Sequence, residues 1–371
     1  MKEKQRSANK IWKILAVAQD PGGVEAILPV IKKLLKKSNV QLKIFTEVKG
    51  GLIFIKEGIK CSRVDNCSLK ELDLEFKKIN PDLTLTATSH GFSVEKKFLR
   101  LAKKYHISTV SIIDYWSNYW LRFVCEGEKK SVDYLPDKII VVDALMKKQM
   151  IAEGFPSQRI KIFGNPHFET FTAGTYHRIE HKNSFIVLFI SQPLRDIYKN
   201  DKNFKYDEHR VSADILRIFK KIKKGRITII IRPHPLEDSN KYFGLLKIID
   251  DKIDIKIDDV SPIDKLLKKA DLVLGMSSSV LFRSSLMGIP TISYQPQLDK
   301  KNDTLAFNIL KLSVLSCDED DLERQILFFL NKDNISGEQE TRKKNINKYV
   351  KSGATKKTID LIFKMLNRSL Q

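Results

Sequence analysis

The stretch Ile14-Leu15-Ala16-Val17-Ala18-Gln19-Asp20-Pro21-Gly22-Gly23-Val24 decides how this chain is read. Five apolar residues in a row read as a buried strand, and Asp20-Pro21-Gly22-Gly23 breaks it. Val24, Ile27, Leu28, Ile31, Leu34 and Leu35 then recur at helical spacing over residues 24–37. Strand, glycine-rich turn and helix make the opening unit of a parallel sheet covered by helices. Glycines let the backbone approach a ligand closely, and a helix start favours an anion. The turn is neither G-x-G-x-x-G nor a P-loop, so no standard dinucleotide site is expected, and a plain tight turn is an equal reading.

The same alternation runs outward from this unit. Apolar runs at residues 42–46, 83–88, 109–113, 139–142 and 160–163 read as strands, with helices at 94–105 and 144–153. Gly164-Asn165-Pro166 closes the half. Residues 167–183 are poor in apolar side chains and hold His167, His177 and His181, which reads as a linker between domains. Strands resume at 185–190, 227–231, 253–257, 272–275 and 291–294, with helices at 280–287, 322–330 and 355–370. At ~150 residues per domain, 371 residues suit two domains. The expected fold is α/β: two Rossmann-like domains facing a cleft. The expected divisions are residues 1–170, a linker at 171–183, a second domain at 184–354, and a last helix at 355–371 that returns to the first domain.

Composition narrows the classes. With 42% hydrophobic residues the chain is neither disordered nor collagen-like. Its 66 Lys and Arg against 45 Asp and Glu give +21, which implies an anionic partner or a lysine-rich set of solvated faces. Cys61, Cys67, Cys125 and Cys317 form no C-x-x-C pair, so reduced thiols and a cytoplasmic protein are expected, with no metal site. The apolar run after the basic residues 1–10 is interrupted by Lys13 and ended by Asp20, too short for a secretory signal. No run reaches the ~18 apolar residues of a membrane span, so membrane contact would be peripheral, on the inner face.

In open parallel sheets ligands bind outside the carboxyl ends of the strands, so the residues there are the candidates. Thr86-Ala87-Thr88-Ser89-His90-Gly91 offers hydroxyls and an imidazole suited to a sugar or phosphate, with His90 as general base, or else a hydroxyl-rich helix cap. Residues 114–123 hold five large aromatics beside Asp114, Asn118 and Arg122. They read as a sugar-binding platform with Asp114 as the cleft carboxylate, or as a hydrophobic plug. Arg232-Pro233-His234-Pro235 presents two phosphate donors on a stiff loop. Ser277-Ser278-Ser279 opens a helix with more hydroxyls than one N-cap needs, which suits an anion. The basic run Ile31-Lys32-Lys33-Leu34-Leu35-Lys36-Lys37 is an amphipathic face fit for an anionic membrane.

Taken together these motifs resemble the GT-B glycosyltransferase superfamily over nearly the whole chain. The nearest resemblance is to bacterial surface-polysaccharide enzymes around UDP-N-acetylglucosamine 2-epimerase, CDP-glycerol glycerophosphotransferases and bacterial sialyltransferases. His234-Pro235 resembles the His-Pro motif that contacts the donor phosphate in the sialyltransferases, and Ser277 to Ser279 resemble the superfamily's phosphate-binding serines. The resemblance implies a metal-independent glycosyltransferase of cell-envelope polysaccharide. Its nucleotide-sugar donor, of UDP, CDP or CMP type, would lie on Arg232, His234, Ser277, Ser278 and Ser279. Its saccharide or lipid-linked acceptor would lie on Gly22, Gly23, Trp116, Asn118 and Arg122, with Asp114 or His90 taking the acceptor proton. No further cofactor is implied. Two departures stand out: Arg283-Ser284 replaces the family's ribose-binding Glu-Ala, and Asp114 to Asn118 replaces the epimerase His-x-Glu-Ala-Gly. The alternatives are an epimerase-like enzyme or polyol-phosphate transferase on the same fold. A nucleic-acid-binding protein is a third, disfavoured because no RNP, KH, zinc-finger or helix-turn-helix signature is present.

Overall fold

A computed structural model describes residues 10–171, 184–200, 204–222, 225–247, 252–331, 334, 345–346 and 352–368. The chain divides into two compact units, Met1–Thr170 with Tyr349–Gln371, and Phe171–Lys348. Residues 172–183 of the expected linker, His177 and His181 among them, lie outside the described residues.

The first unit is built on seven parallel strands: β1 (Trp12–Val17), β2 (Val40–Thr46), β3 (Ser62–Arg63), β4 (Leu83–Thr86), β5 (Ser108–Ile112), β6 (Lys138–Val141) and β7 (Ile160–Ile162). Their order is β3-β2-β1-β4-β5-β6-β7. The helices are α1 (Pro21–Leu34), α2 (Val48–Lys56), α3 (Leu69–Ile79), α4 (Val94–Lys104) and α5 (Ala144–Ala152). β1 is buried on both faces, as a central parallel strand must be. Its period of two sorts the cores. Ile14 and Ala16 join Ile27 and Ile31 of α1 on one face, while Leu15 and Val17 join Phe45, Phe76 and Phe98 on the other. α3 starts with a full capping box, Ser68 and Glu71 each satisfying the other's backbone N–H.

A last helix, α10 (Ala354–Arg368), adds Ile359, Ile362 and Leu366 to the core cluster that holds Trp12, Ile27, Ile31 and Leu34. Glu169 fixes its start. One carboxylate oxygen accepts the Ala354 N–H, and the other accepts the Thr355 N–H at 3.1 Å and its hydroxyl at 2.6 Å. A carboxylate there satisfies amides with no intrahelical partner and suits the helix dipole.

The second unit has six parallel strands: β8 (Phe185–Ile190), β9 (Ile227–Arg232), β10 (Ile253–Ile257), β11 (Leu272–Gly275), β12 (Thr291–Tyr294) and β13 (Val314–Ser316). Their order is β10-β9-β8-β11-β12-β13. Among its helices are α6 (Glu208–Lys221), α7 (Ile263–Leu267), α8 (Ser279–Leu286) and α9 (Glu319–Leu330). Both sheets grow one way from their first strand and then restart on its other side. Each therefore has a topological switch point, between β1 and β4 and between β8 and β11, where ligands of such sheets sit.

Candidate functional site

At the first switch point the chain leaves β1 as Gln19-Asp20 and enters α1 through Pro21 at its first position, where a missing N–H costs nothing. The Gln19 side chain accepts the Val94 N–H at 3.0 Å, and its own N–H donates to Glu95 Oε1 at 2.9 Å. Ser89 Oγ donates to the same oxygen at 2.8 Å. Glu95 is buried, which pushes its carboxyl well above the usual carboxylate range, although these donors pull it back. The second unit repeats the arrangement. Gln192, two residues after β8 as Gln19 is two after β1, accepts the Ser277 N–H at 2.8 Å and its hydroxyl at 3.2 Å across β8 and β11. In each unit a glutamine carbonyl thus sits on backbone N–H groups at the start of the helix across the switch point.

Asp114 follows β5. Its Oδ1 takes a hydrogen bond of 2.6 Å from Arg122, whose side chain is only 4% exposed. The same guanidinium donates to Thr88 Oγ1 at 2.9 Å, Ser117 O at 2.9 Å and Tyr115 O at 3.3 Å. Arg122 therefore braces the loop behind Asp114 from inside. On the opposite side, a Cβ on Gly22 would lie 2.9 Å from Asp114 Oδ2, so the carboxylate rests against the first turn of α1 and only glycine leaves it room. Gly23 is close-packed instead against Ala87, 2.9 Å from where its Cβ would be. Asn165 Nδ2 donates to the Asp114 carbonyl at 3.3 Å, which ties the Gly164-Asn165-Pro166 turn to the same place.

His90 stands at the exposed end of the β4 loop. Crowding by surrounding protein lowers its pKa, Arg122 and Lys96 lower it further, and Asp114 and Asp20 oppose them. The imidazole thus shares one electrostatic environment with Asp114 and Asp20. The other hydroxyls of this loop are engaged within the fold. Thr86 pairs with Ser111 at 2.6 Å, Thr88 with Arg122, and Ser89 with Glu95. They build the loop and are not offered to a ligand.

The aromatic run after Asp114 is mainly a plug. Trp116 is 5% exposed, stacks on Phe168 at 6.2 Å and donates its indole N–H to Asp143 Oδ1 at 3.0 Å. Trp120 packs on Phe155 at 4.4 Å and donates to Glu153 O at 2.8 Å. Tyr119 and Phe123 are buried as well. The platform expected of Trp116 and the acceptor contact expected of Arg122 therefore give way to packing and bracing. Asn118, exposed and left-handed at φ 53°, stays on the surface of this stretch.

In the second unit His234 is half-buried in a turn after β9. The Leu236 N–H donates to its Nδ1 at 3.2 Å, so the ring proton sits on Nε2 and that nitrogen is the donor. Glu237 closes the turn. Its N–H donates to His234 O at 2.8 Å and its carboxylate accepts the His234 N–H. The Glu237 side chain is fully buried and also accepts Ser191 Oγ at 2.9 Å and Tyr242 OH at 3.0 Å. Lys241 bridges Glu237 at 2.5 Å and Glu208 at 2.6 Å. Burial alone would raise Glu208, but the Lys241 ammonium and the Arg195 amide hold it below the usual carboxylate range. Arg232 turns its Nη1 to Asp258 O at 2.8 Å. Ser278 caps α8 by accepting the Val280 N–H at 3.2 Å, and Ser279 is exposed beside it. Arg283 pairs with Asp264 at 2.5 Å and lies over Phe171.

Sequence reading missed Gln19, Glu95, Gln192 and Glu237. For the two glutamines a signal existed, since each is the second residue past the first strand of its unit. Glu95 and Glu237 have none, because a carboxylate near a helix start or in a turn reads as a cap. Among the described residues no three His, Cys, Asp or Glu side chains group to hold a metal ion.

No family model matches the sequence, and no curated protein matches it. Solved structures do match the fold. UDP-GlcNAc 2-epimerase from Neisseria meningitidis, bound to UDP-GlcNAc, superposes with a TM-score of 0.70 at 15% identity, covering 95% of this chain and 100% of that one. The UDP-GlcNAc 2-epimerase from Methanocaldococcus jannaschii gives 0.65 at 14%, over 95% and 99%. MurG from Acinetobacter baumannii gives 0.62 at 11%, over 95% and 99%. The chain has the two-unit α/β fold of the GT-B enzymes. At these identities the likeness is one of fold.

Proposed function

We propose that this protein is a nucleotide-sugar enzyme, a glycosyltransferase that uses a nucleotide-activated sugar donor. The observation that carries the reading is the second switch point. There Ser277 to Ser279 open α8, and on the far side of β8 the turn after β9 fixes His234 with Nε2 as donor. That set suits the phosphates of a nucleotide sugar, and neighbours of the same fold are named as bound to UDP-GlcNAc or UDP. Preorganised donors offset charge on a departing phosphate without reorganising during reaction. The Ser279 hydroxyl is exposed at the start of α8, and a phosphate would reach the Ser277 N–H by displacing Gln192. Arg232 contributes its positive charge, with one nitrogen already committed to Asp258.

The acceptor then lies on the first unit, by Gly22, Gly23, Asn118, His90 and Asp114. His90, with its pKa lowered, is neutral at pH 7 and competent to take a hydroxyl proton, and Asp114 is the carboxylate beside it. The test is a thermal-shift and calorimetric titration with UDP, CDP and CMP at millimolar concentration. Stabilisation by one of them, lost in His234→Ala, is the expected result, and no stabilisation by any removes the donor site.

A second reading, sugar 2-epimerase, is favoured by the epimerases among the neighbours. Incubation of UDP-GlcNAc in deuterated water without acceptor separates the two. Deuterium at the sugar C2 supports epimerisation, and sugar transfer to an added acceptor supports the first reading.

A further inference from the structure

The helix α2 turns an apolar stripe outward. Gly50 and Phe54 face the sheet, and a Cβ on Gly50 would lie 2.6 Å from Gln19 O, so the helix is pressed tightly on that side. The opposite side carries Val48, Leu52 and Ile55, spaced four and three residues apart, and they are 46%, 64% and 66% exposed. Among the described residues, these three aliphatic side chains stay largely uncovered in a row on the helix.

Their surroundings are mainly cationic. Acids stand at the Val48 end, where Glu47 precedes the helix and Asp65 accepts the Val48 N–H at 2.8 Å and pairs with Arg63 at 2.8 Å. Residues 31–60 hold eight lysines and two glutamates. Lys49, Lys56 and Lys60 are exposed around the stripe, Lys33 is exposed in the last turn of the neighbouring α1, and Lys36 and Lys37 are exposed just past its end. Glu57, one of the two acids, is paired with Lys32 at 2.5 Å. An open recess of about 620 Å³ adjoins the end of the stripe, lined in part by Lys43, Ile55, Lys60 and Arg63.

We propose that this face of α2 seats on an anionic lipid surface, the aliphatic stripe entering the headgroup layer and the lysines lying on phosphates. Both halves of the pattern are then satisfied: apolar area leaves water, and each lysine near an anionic leaflet adds attraction. A second copy of the chain would bring the same lysines against these. A nucleic acid would use the charge and leave three aliphatic side chains without the stacking surface its bases need. The inference goes beyond the proposed reaction and is read without substrate, so either can fail while the other stands.

The experiment is co-sedimentation of the full chain with phosphatidylcholine vesicles, with and without roughly 30% phosphatidylglycerol, at about 0.1 M and about 0.5 M salt. The expected result is binding only to the anionic vesicles, weakened by salt. It should fall at least roughly tenfold in Leu52→Ser/Ile55→Ser and in Lys49→Gln/Lys56→Gln/Lys60→Gln. These side chains are exposed, so circular dichroism and melting temperature stay as in the wild type. Equal partitioning of the variants, or equal binding to neutral vesicles, overturns the proposal. So does a dimer in analytical ultracentrifugation that Leu52→Ser/Ile55→Ser abolishes in a chain that ignores vesicles, which would give the face to a second copy.

Discussion

Replacing Arg122 by methionine keeps the bulk of its stem and removes its charge and all its donors. Asp114 loses its partner at 2.6 Å, and Thr88 Oγ1 and the carbonyls of Ser117 and Tyr115 lose theirs. Breaking a buried ion pair from one side costs about 3–5 kcal/mol. The Asp114 side chain is 22% exposed, so water recovers part of its solvation and the lower end, about 3 kcal/mol, is the working figure. For a unit of this size that is a fall of about 6–12 °C in melting temperature. Differential scanning calorimetry of the full chain reads it directly. Asp114→Asn destabilises by leaving the guanidinium buried and unpaired, and the double variant costs clearly less than the sum, because the two residues share one interaction. The reasoning fails if Arg122→Met melts within about 2 °C of wild type. A normal melting temperature with a raised acceptor KM would return Arg122 to the ligand contact that its position in the sequence suggests.

Gly22→Ala gains helix propensity, but its Cβ displaces the Asp114 carboxylate that Arg122 holds; turnover of nucleotide sugar should fall roughly tenfold or more, with a melting temperature lowered by less than in Arg122→Met. Gly50→Ala meets Gln19 O and Thr46 Oγ1, which cannot both withdraw, and should destabilise by about 1–3 kcal/mol in urea unfolding. Glu95, its pKa raised by burial, keeps its proton to higher pH in the folded chain than in the unfolded one. Stability from this group is therefore greatest below the unfolded pKa of about 4.3 and declines as pH rises toward the folded value. Glu95→Gln should flatten that decline and leave the melting temperature at pH 7 unchanged or higher, and a large loss at pH 7 would show the carboxylate to be needed ionised. If His90 is the base, the acidic limb of kcat/KM falls below the ordinary histidine value of about 6.5, and a limb above pH 7 excludes it.

The strands were legible wherever burial on both faces made a continuous apolar run. β8 and β11 start and end where Phe185 to Ile190 and Leu272 to Gly275 place them. The elements that escaped are those whose signal is weak or mixed. β3 has two residues and β13 three, too short for any periodicity. α2 mixes two glycines with β-branched residues, and its apolar side chains point both ways, so no single amphipathic face emerges. α3 did carry a signal, the Ser68-x-x-Glu71 cap. In the candidate sites the strand-end rule placed Asp114, His90, His234 and Ser277 past the carboxyl ends of strands, where the structure has them. What it could not supply is which side chains the fold uses for itself. Trp116, Arg122 and Thr88 look like ligand groups by composition, yet each completes a buried contact that depends on partners more than 25 residues away or on the path of the loop.

The first unit is assembled from both parts of the chain, since α10 supplies Ile359, Ile362 and Leu366 to a core that otherwise ends near Thr170. During synthesis the seven-stranded sheet therefore emerges with an unfilled apolar strip along α1, over Ile27, Ile31 and Leu34. Some 180 further residues must be translated before α10 arrives, a wait of about 10–35 s at ~5–20 residues per second. In that interval the second unit, continuous from Phe171 to Lys348, is free to complete its own core first. The order of maturation is then the reverse of the order of synthesis. A released chain that ends between Lys348 and Ala354 holds the whole second unit and a first unit still open to chaperones and proteases.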